Sequence, residues 1–261
     1  MTDEAAPCQR HKDMTHENVN ISTRDGVCPV YVFTSGAATP SPAIIFYMDA
    51  GGIRPAALAM AQRLADTGYV VLLPDLFYRY GAYGPFDPVE VFKGDVRAIL
   101  GPLMATTSNE KAAEDTAALL GYLDTRIDVE RKPIGAVGFC MGGGMAIAAA
   151  GTYPDRFAAV ASFHGGNLAT DAPGSPHRHA PQLKAEVYIA AAEGDETYPP
   201  AMARRLENAF DQAGVRYCAE TYAGASHGWM KPDFPVYDPV AAERGWSKMI
   251  GFFDRTLKNS N

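Results

Sequence analysis

The residues Gly135 to Gly144 carry the most specific chemical signal in this sequence. They read Gly-Ala-Val-Gly-Phe-Cys-Met-Gly-Gly-Gly, so Cys140 stands between an apolar strand-like run and a helix-like run of small residues. This pattern is typical of a nucleophile elbow, a sharp strand-to-helix turn that exposes a reactive side chain and needs glycines two positions before and after it. Serine is the usual residue there. Cys140 therefore predicts a thiol nucleophile, activated by a helix N-terminus and a histidine.

Two other interpretations of Cys140 remain open at this point. The residue could be a buried structural cysteine, or the glycines could form a phosphate-binding loop. Position 140 is not glycine, and neither Lys-Ser nor Lys-Thr follows it. Neither phosphate-binding fingerprint is therefore met, which favours the nucleophile.

An acid and a base follow Cys140 along the chain. Asp195 lies in Glu-Gly-Asp-Glu and His227 in Ser-His-Gly, which gives the order nucleophile, acid, base. We expect His227 to act as the base and Asp195 to orient it. Glu193 and Glu196 are neighbouring carboxylates that could take the place of Asp195, and His227 could instead be a loop histidine bonded to backbone.

Strand-like and helix-like segments alternate around these residues. Short apolar runs suit buried parallel strands, and longer segments have apolar residues three and four positions apart. This alternation predicts a mostly parallel, doubly wound α/β sheet flanked by helices. The predicted strands are 43–47, 69–73, 134–139, 158–163, 187–191 and 217–222, and the predicted helices are 53–66, 110–124, 141–150, 200–213 and 239–257.

The predicted strands place the candidate residues at one edge of the sheet. In such sheets ligands bind beyond the carboxyl ends of the strands, and Asp49, Cys140, Asp195 and His227 each follow a strand. We expect these side chains to converge. Two segments rich in glycine, tyrosine or proline, 77–87 and 167–181, are expected to form loops over the site.

Composition limits the class of protein. The 261 residues contain 23 Lys and Arg against 30 Asp and Glu, a formal charge of −7, so nucleic acid is not an expected partner. No apolar run is long enough to span a bilayer, and the first residues do not resemble a secretory signal, so we expect a cytoplasmic protein without a membrane partner. The four cysteines lack the spacing of disulfide frameworks or zinc ribbons. One domain, 1–261, is expected, with 1–19 as a loose N-terminal extension.

Three further histidines could suggest a metal site. His164 ends a predicted strand, and His177 and His179 lie in the following loop. Their spacing matches no zinc signature and no acidic ligand is grouped with them, so we expect neither metal nor cofactor. We expect His164 to line the pocket.

Four segments together resemble the dienelactone hydrolase family, the cysteine branch of the α/β hydrolases, also called carboxymethylenebutenolidases. They are Pro-Asp-Leu-Phe at 74–77, Gly-Phe-Cys-Met-Gly-Gly at 138–143, Gly-Asp at 194–195 and Ser-His-Gly at 226–228. The resemblance covers about 20–257. It implies an α/β-hydrolase fold, a Cys140, Asp195 and His227 triad, and hydrolysis of an enol lactone from aromatic breakdown. A broad carboxylesterase or thioesterase, and a non-hydrolytic thiol sensor, are the alternatives.

The resemblance also implies further roles at the site. Backbone N–H groups of Met141 and Ala50 would form the oxyanion hole. Asp49 stands where the family usually has a glutamate that holds the resting thiol, so it is the candidate thiol switch, although an aspartate there could simply form a turn. Lys231 and Arg97 stand near the positions of arginines that grip a substrate carboxylate, with solvated helix surface as the alternative for Arg97. The expected partner is a small lactone or ester, bound by a monomer or small homo-oligomer.

Overall fold

An eight-stranded sheet forms the centre of the computed structural model, which describes residues 16–258. The strand order is β1-β2-β4-β3-β5-β6-β7-β8. Strands β1 and β2 form an antiparallel hairpin, β2 is antiparallel to β4, and the other neighbours are parallel. The strands are β1 His16–Thr23, β2 Gly26–Phe33, β3 Ala43–Tyr47, β4 Val70–Pro74, β5 Ile134–Phe139, β6 Phe157–Phe163, β7 Glu186–Ala192 and β8 Tyr217–Tyr222.

Seven α-helices connect these strands within the described residues. They are α1 Pro55–Ala65, α2 Pro88–Lys93, α3 Val96–Met104, α4 Asn109–Thr125, α5 Met141–Thr152, α6 Pro200–Ala213 and α7 Pro239–Phe253. A short 3₁₀ helix covers Pro176–Gln182, and a π turn follows α7 over Asp254–Lys258. None of the helices between residues 16 and 258 combines the length and the apolar character needed to cross a bilayer.

Helices cover both faces of the sheet at its centre. Every residue of β5 is buried, as expected of a parallel strand enclosed on two sides. Gly135 packs against Phe253 of α7, whereas Gly138 packs against Gly142 of α5. These two glycines are an odd number of residues apart in one strand, so they face opposite sides of the sheet. The predicted mostly parallel, doubly wound architecture is confirmed.

Two parts of the fold differ from the sequence-based expectation. Residues 16–19, assigned above to a loose extension, belong to β1 and pair with 30–33 of β2, because Val19 and Ile21 alternate with polar residues as in a half-buried strand. The remaining residues of that extension, 1–15, lie outside the described residues. Helices α2 and α3 were not predicted, although Asp87 and Asp95 cap them through their side chains.

Candidate active site

Cys140 occupies the turn between β5 and α5 in a strained conformation. Its φ of 56° and ψ of −121° lie where side chains other than glycine are seldom found. Two glycines make the turn possible: a Cβ at Gly138 would overlap the backbone of Gly142, and a Cβ at Gly142 would overlap the carbonyl oxygen of Tyr47. The turn therefore holds the thiol at the carboxyl edge of the sheet, as the elbow pattern predicts.

A chain of hydrogen bonds joins the three residues singled out above. His227 Nε2 lies 3.0 Å from Cys140 Sγ, and His227 Nδ1 lies 2.7 Å from Asp195 Oδ2. Asp195 follows β7 and His227 follows β8, so loops at the ends of neighbouring strands bring both to the elbow. The predicted convergence at the carboxyl edge is present in the structure.

Thr197 holds the second oxygen of Asp195. Its hydroxyl and its backbone N–H donate to Asp195 Oδ1 at 2.6 and 2.8 Å, which leaves Oδ2 directed at the imidazole. The sequence analysis did not select Thr197. The Asp-x-Thr spacing at 195–197 is nevertheless a turn signature that predicts such a side-chain to backbone bond.

The two neighbouring glutamates do not approach the histidine. Glu193 accepts a hydrogen bond from the backbone N–H of Gly224 and so ties two loops together, and Glu196 is exposed. Asp195 is largely buried and is the carboxylate bonded to His227. Of the three acids, Asp195 is therefore the one that the structure places within hydrogen-bond distance of His227.

The electrostatics of this chain favour a charged imidazole. Burial disfavours the imidazolium, but hydrogen bonds to Asp195 and Cys140 outweigh it and raise the pKa of His227 to about 10. Burial also opposes the charge of Asp195, yet the bonds from His227 and Thr197 lower the pKa of that carboxyl. A protonated His227 places a positive charge 3.0 Å from the Cys140 sulfur.

A cavity of about 530 Å³ opens beside Cys140 and His227. Its volume lies in the range of small-molecule sites. Residues 172–174 line it, as expected of the 167–181 loop, whereas the 77–87 loop does not. The wall also contains the start of α4, which the sequence analysis did not assign to the site. The lining residues are Met104, Thr107, Ser108, Asn109, Glu110, Cys140, Met141, Met145, Gly166, Asn167, Ala172, Pro173, Gly174, Thr197 and His227.

The candidate oxyanion hole lies where α5 meets the end of β3. Because Gly142 touches the carbonyl oxygens of Tyr47 and Met48, the first turn of α5 is held against the segment that contains Ala50. Met141 and Ala50 are both partly exposed, and Met141 lines the cavity. Their backbone N–H groups are thus on adjoining segments. That of Met141 is at the start of α5, where the helix dipole favours negative charge.

Comparisons with known proteins identify the family. The model of the dienelactone hydrolase family matches residues 28–257, most of the chain. The chain belongs to the dienelactone hydrolase family. It is therefore a hydrolase with the α/β-hydrolase fold.

Individual relatives of this family cover nearly the whole chain. A protein of Synechocystis named "Putative carboxymethylenebutenolidase" is 26% identical over 222 residues, which is 83% of this chain and 87% of the relative. One of the same name from Methylorubrum extorquens is 26% identical over 239 residues, covering 90% and 79%. The crystal structure of a "Putative Dienelactone Hydrolase" from Klebsiella pneumoniae superposes with a TM-score of 0.80 at 21% identity, covering 92% of this chain and 98% of that one.

Asp49 is the candidate thiol switch, and in the structure two cations hold its carboxylate. It is fully buried, and its two oxygens lie 2.8 Å from Arg54 Nη1 and 2.7 Å from Lys231 Nζ. Burial raises its pKa, but both cations outweigh burial and the pKa lies well below the usual range. Arg54 also donates two hydrogen bonds to Asp233. The four charges form a closed network, and its partners lie too far apart in sequence for a local motif to reveal them.

The three substrate-binding candidates do not line the cavity. Lys231 is fully buried, with its ammonium against Asp49 and 4.9 Å from the centre of the Phe139 ring. Arg97 is exposed on α3. His164 is fully buried behind the site, with its ring 5.4 Å from that of His227.

His164 carries an unusual local environment. Its φ is 40°, and neither ring nitrogen has a hydrogen-bond partner. Burial, together with the charges of His227 and Lys231, lowers the pKa of His164 well below its usual value. A neutral ring behind His227 adds no positive charge there. Among residues 16–258, no group of three or more His, Cys, Asp or Glu side chains is arranged to hold a metal ion.

Proposed function

We propose that this hydrolase cleaves an enol lactone or an activated ester through a thioester at Cys140. The observation that carries the proposal is the hydrogen-bond chain from Asp195 through His227 to Cys140, with links of 2.7 and 3.0 Å. In this proposal Cys140 is the nucleophile, His227 the general acid and base, and Asp195 its orienting partner. The cavity beside the thiol accommodates the substrate.

Acylation begins with attack of the Cys140 thiolate on the substrate carbonyl carbon. The electron pair of the carbonyl bond moves to its oxygen, and the N–H groups of Met141 and Ala50 stabilise the resulting oxyanion. When the oxyanion collapses, the bond to the leaving oxygen breaks and its electron pair stays with that oxygen. His227, protonated beside the thiolate, gives its proton to the leaving oxygen, or releases it to solvent after the departure of a leaving group that needs no proton.

Deacylation restores the resting enzyme. Neutral His227 takes a proton from water as the water oxygen attacks the thioester carbonyl. The carbon–sulfur bond then breaks, which releases the carboxylic acid product and returns the thiolate beside a protonated His227. Asp195 and Thr197 keep the imidazole in the orientation that both steps need.

The thiol also limits the substrates. A thiolate leaves a tetrahedral intermediate more readily than an ordinary alkoxide or amine, so the intermediate returns to substrate unless the other leaving group is also good. Enol lactones and aryl esters meet this condition and amides do not. A lactone or ester of this kind is the partner we propose.

Steady-state hydrolysis by two variants tests this function. Cys140→Ala and His227→Ala should each lower kcat/KM for an enol lactone and for an aryl acetate by roughly 10³-fold or more. A matched control is Cys218→Ala, which removes an exposed thiol on β8 and should leave the rate unchanged. A thiol sensor on the same scaffold would instead give fast alkylation of Cys140 without turnover of either substrate. That result would overturn the proposal.

A further inference from the structure

The cavity wall beside Cys140 is largely apolar, and its described residues include no lysine or arginine. Met104, Met141 and Met145 contribute thioether side chains, which adapt to varied apolar groups. Among the described lining residues, Glu110 is the one side chain with a formal charge apart from His227. A substrate carboxylate would therefore meet no lysine or arginine in the described part of this wall, and the positive charge of His227 is already paired with Asp195.

The cations nearest to the elbow are already neutralised. Lys231 and Arg54 are each at most 2% exposed, and Asp49 and Asp233 balance their two charges. Releasing either cation to a substrate would leave a buried carboxylate without its partner, which costs several kcal/mol. The network thus holds these cations away from the cavity.

The cations around the rim of the cavity are also occupied. Arg178 donates to the backbone oxygens of residues 171 and 172, and Arg205 pairs with Asp171 at 2.7 Å. Lys111 on α4 donates to the carbonyl oxygen of Thr106. These three cations therefore already have hydrogen-bond or ion-pair partners within the protein and do not point into the cavity.

Glu110 is an exposed acid that lines the wall. It lies in the first turn of α4, two residues after the N-cap Ser108. Its carboxylate lies against Gly174 of the 172–174 loop, in space that a side chain at 174 would fill. Any Cβ at Gly174 would overlap that carboxylate, so this glycine lets the loop and Glu110 meet at the cavity.

We propose that Glu110 sets the charge selectivity of this hydrolase, and that its substrates are esters or lactones whose acyl part is uncharged or cationic. The inference rests on the proposed function above, since it names the substrate class of the same site. It departs from the carboxylate-bearing substrate that the family resemblance implies. If the Glu110 carboxylate and a substrate charge are roughly 8 Å apart, at an effective dielectric constant of about 40, their repulsion lowers kcat/KM for an anionic substrate by about fivefold.

Three aryl esters of equal acyl length test the proposal. Their acyl chains end in a methyl, a carboxylate or a trimethylammonium group, and each kcat/KM is divided by the rate of hydroxide hydrolysis to remove intrinsic reactivity. We expect the neutral and cationic esters to exceed the anionic one by about fivefold or more, and the gap between cationic and anionic esters to narrow as salt screens the charges.

Variants assign that discrimination to Glu110. Glu110→Gln should lower the ratio of cationic to anionic kcat/KM by about 25-fold, because the carboxylate acts about fivefold on each ester in opposite directions, and Glu110→Lys should lower it further. Glu90→Gln is the matched control, because Glu90 is another exposed first-turn acid, on α2, that does not line the cavity. The control should leave all three rates unchanged. Thermal unfolding checks that each variant is folded.

The possible failures are distinguishable. If the neutral ester is hydrolysed in a Cys140-dependent way but the anionic ester is equally good or better, Glu110 does not set selectivity and this inference is overturned while the proposed function stands. An unchanged charge ratio in Glu110→Gln has the same meaning. If no ester is turned over, or Cys140→Ala is as active as the natural protein, the proposed function itself fails and this inference fails with it.

Discussion

Replacing Lys231 with methionine removes the ammonium group that lies 2.7 Å from Asp49 Oδ2, where both side chains are fully buried. Methionine keeps most of the volume and places a thioether where the ammonium lay 4.9 Å from the centre of the Phe139 ring. What is lost is the positive charge, and Asp49 then relies on Arg54 alone. Breaking one partner of a buried ion pair costs about 3–5 kcal/mol, and the remaining bond to Arg54 places our expectation near the lower end, about 3 kcal/mol.

A second variant separates the charge from the packing. Asp49→Asn together with Lys231→Met removes one negative and one positive charge and leaves Arg54 paired with Asp233. We expect the double variant to be more stable than Lys231→Met alone, since no unpaired carboxylate remains. Together with the Asp49→Asn single variant, these two complete a double-mutant cycle that measures the coupling of the pair.

Thermal and urea unfolding measure these stabilities. A loss of about 3 kcal/mol lowers the Tm of a domain of this size by about 6 °C. Kinetics with neutral and anionic esters then tests what Lys231 does: the structure predicts that Lys231→Met changes kcat/KM for both esters by the same factor. A Tm close to that of the natural protein, or a loss confined to the anionic ester, would refute the argument and return Lys231 to the role of a substrate carboxylate receptor.

Three further predictions concern pH, the ion-pair network and the elbow. Hydrogen bonds to Asp195 and Cys140 overcome burial and raise the pKa of His227 to about 10, so kcat/KM for an ester of unsubstituted phenol should fall as the pH rises through about 10, where the leaving oxygen loses its proton donor. A nitrophenyl ester, whose leaving group needs no proton, should not show that fall. The pKa of Asp49 in the folded protein lies below the unfolded value of about 3.9. Ionised Asp49 therefore stabilises the fold above about pH 3.9, and this contribution is lost as the pH falls from there towards the folded pKa. Asp49→Asn should flatten the acid side of the curve of unfolding free energy against pH. Gly142→Ala should destabilise the protein by about 1–3 kcal/mol or more and abolish activity, because its Cβ would overlap the end of β3.

Each of these three predictions has a result that would contradict it. An equal fall of kcat/KM at high pH for the phenyl and nitrophenyl esters would show that His227 is not the proton donor. Equal acid sensitivity of Asp49→Asn and the natural protein would show that Asp49 is not ionised in the folded state. For the elbow, the control is Gly121→Ala in α4, where a Cβ meets no other atom and should add about 0.5–1 kcal/mol of stability; a neutral Gly142→Ala would contradict the steric argument.

Local patterns predict the sheet and the strand-to-helix turn at Cys140 well, for physical reasons. Strands β3 and β5 and helix α6 are predicted within the bounds that the structure gives, because buried parallel strands are short apolar runs and a helix beginning with Pro and ending before Gly214 is marked at both ends. Cys140 is found because its strained turn requires glycines at fixed positions.

Other features depend on contacts that no local pattern encodes. Helices α2 and α3 are short, and α3 contains Pro102, a residue that argues against a helix interior. Their capping residues Asp87 and Asp95 are the features of the sequence that mark where these helices begin. Lys231 is charged and would be expected in water. Its burial depends on Asp49, far away in the sequence, and the same holds for the pairing of Arg54 with Asp233. The role of Glu110 in the cavity wall depends on Gly174 in a separate loop.

Direct detection of the acyl-enzyme tests the central claim, that Cys140 forms a thioester during turnover. The protein is mixed with an aryl acetate, quenched in acid within the first turnover and digested, and the peptide that contains Cys140 is examined by mass spectrometry. The account predicts a gain of one acetyl group on that peptide, removable by hydroxylamine, in amounts matching the burst of released phenol, and no such adduct in Cys140→Ala. Turnover of the ester with no acetyl group on Cys140, or with full activity in Cys140→Ala, would contradict it.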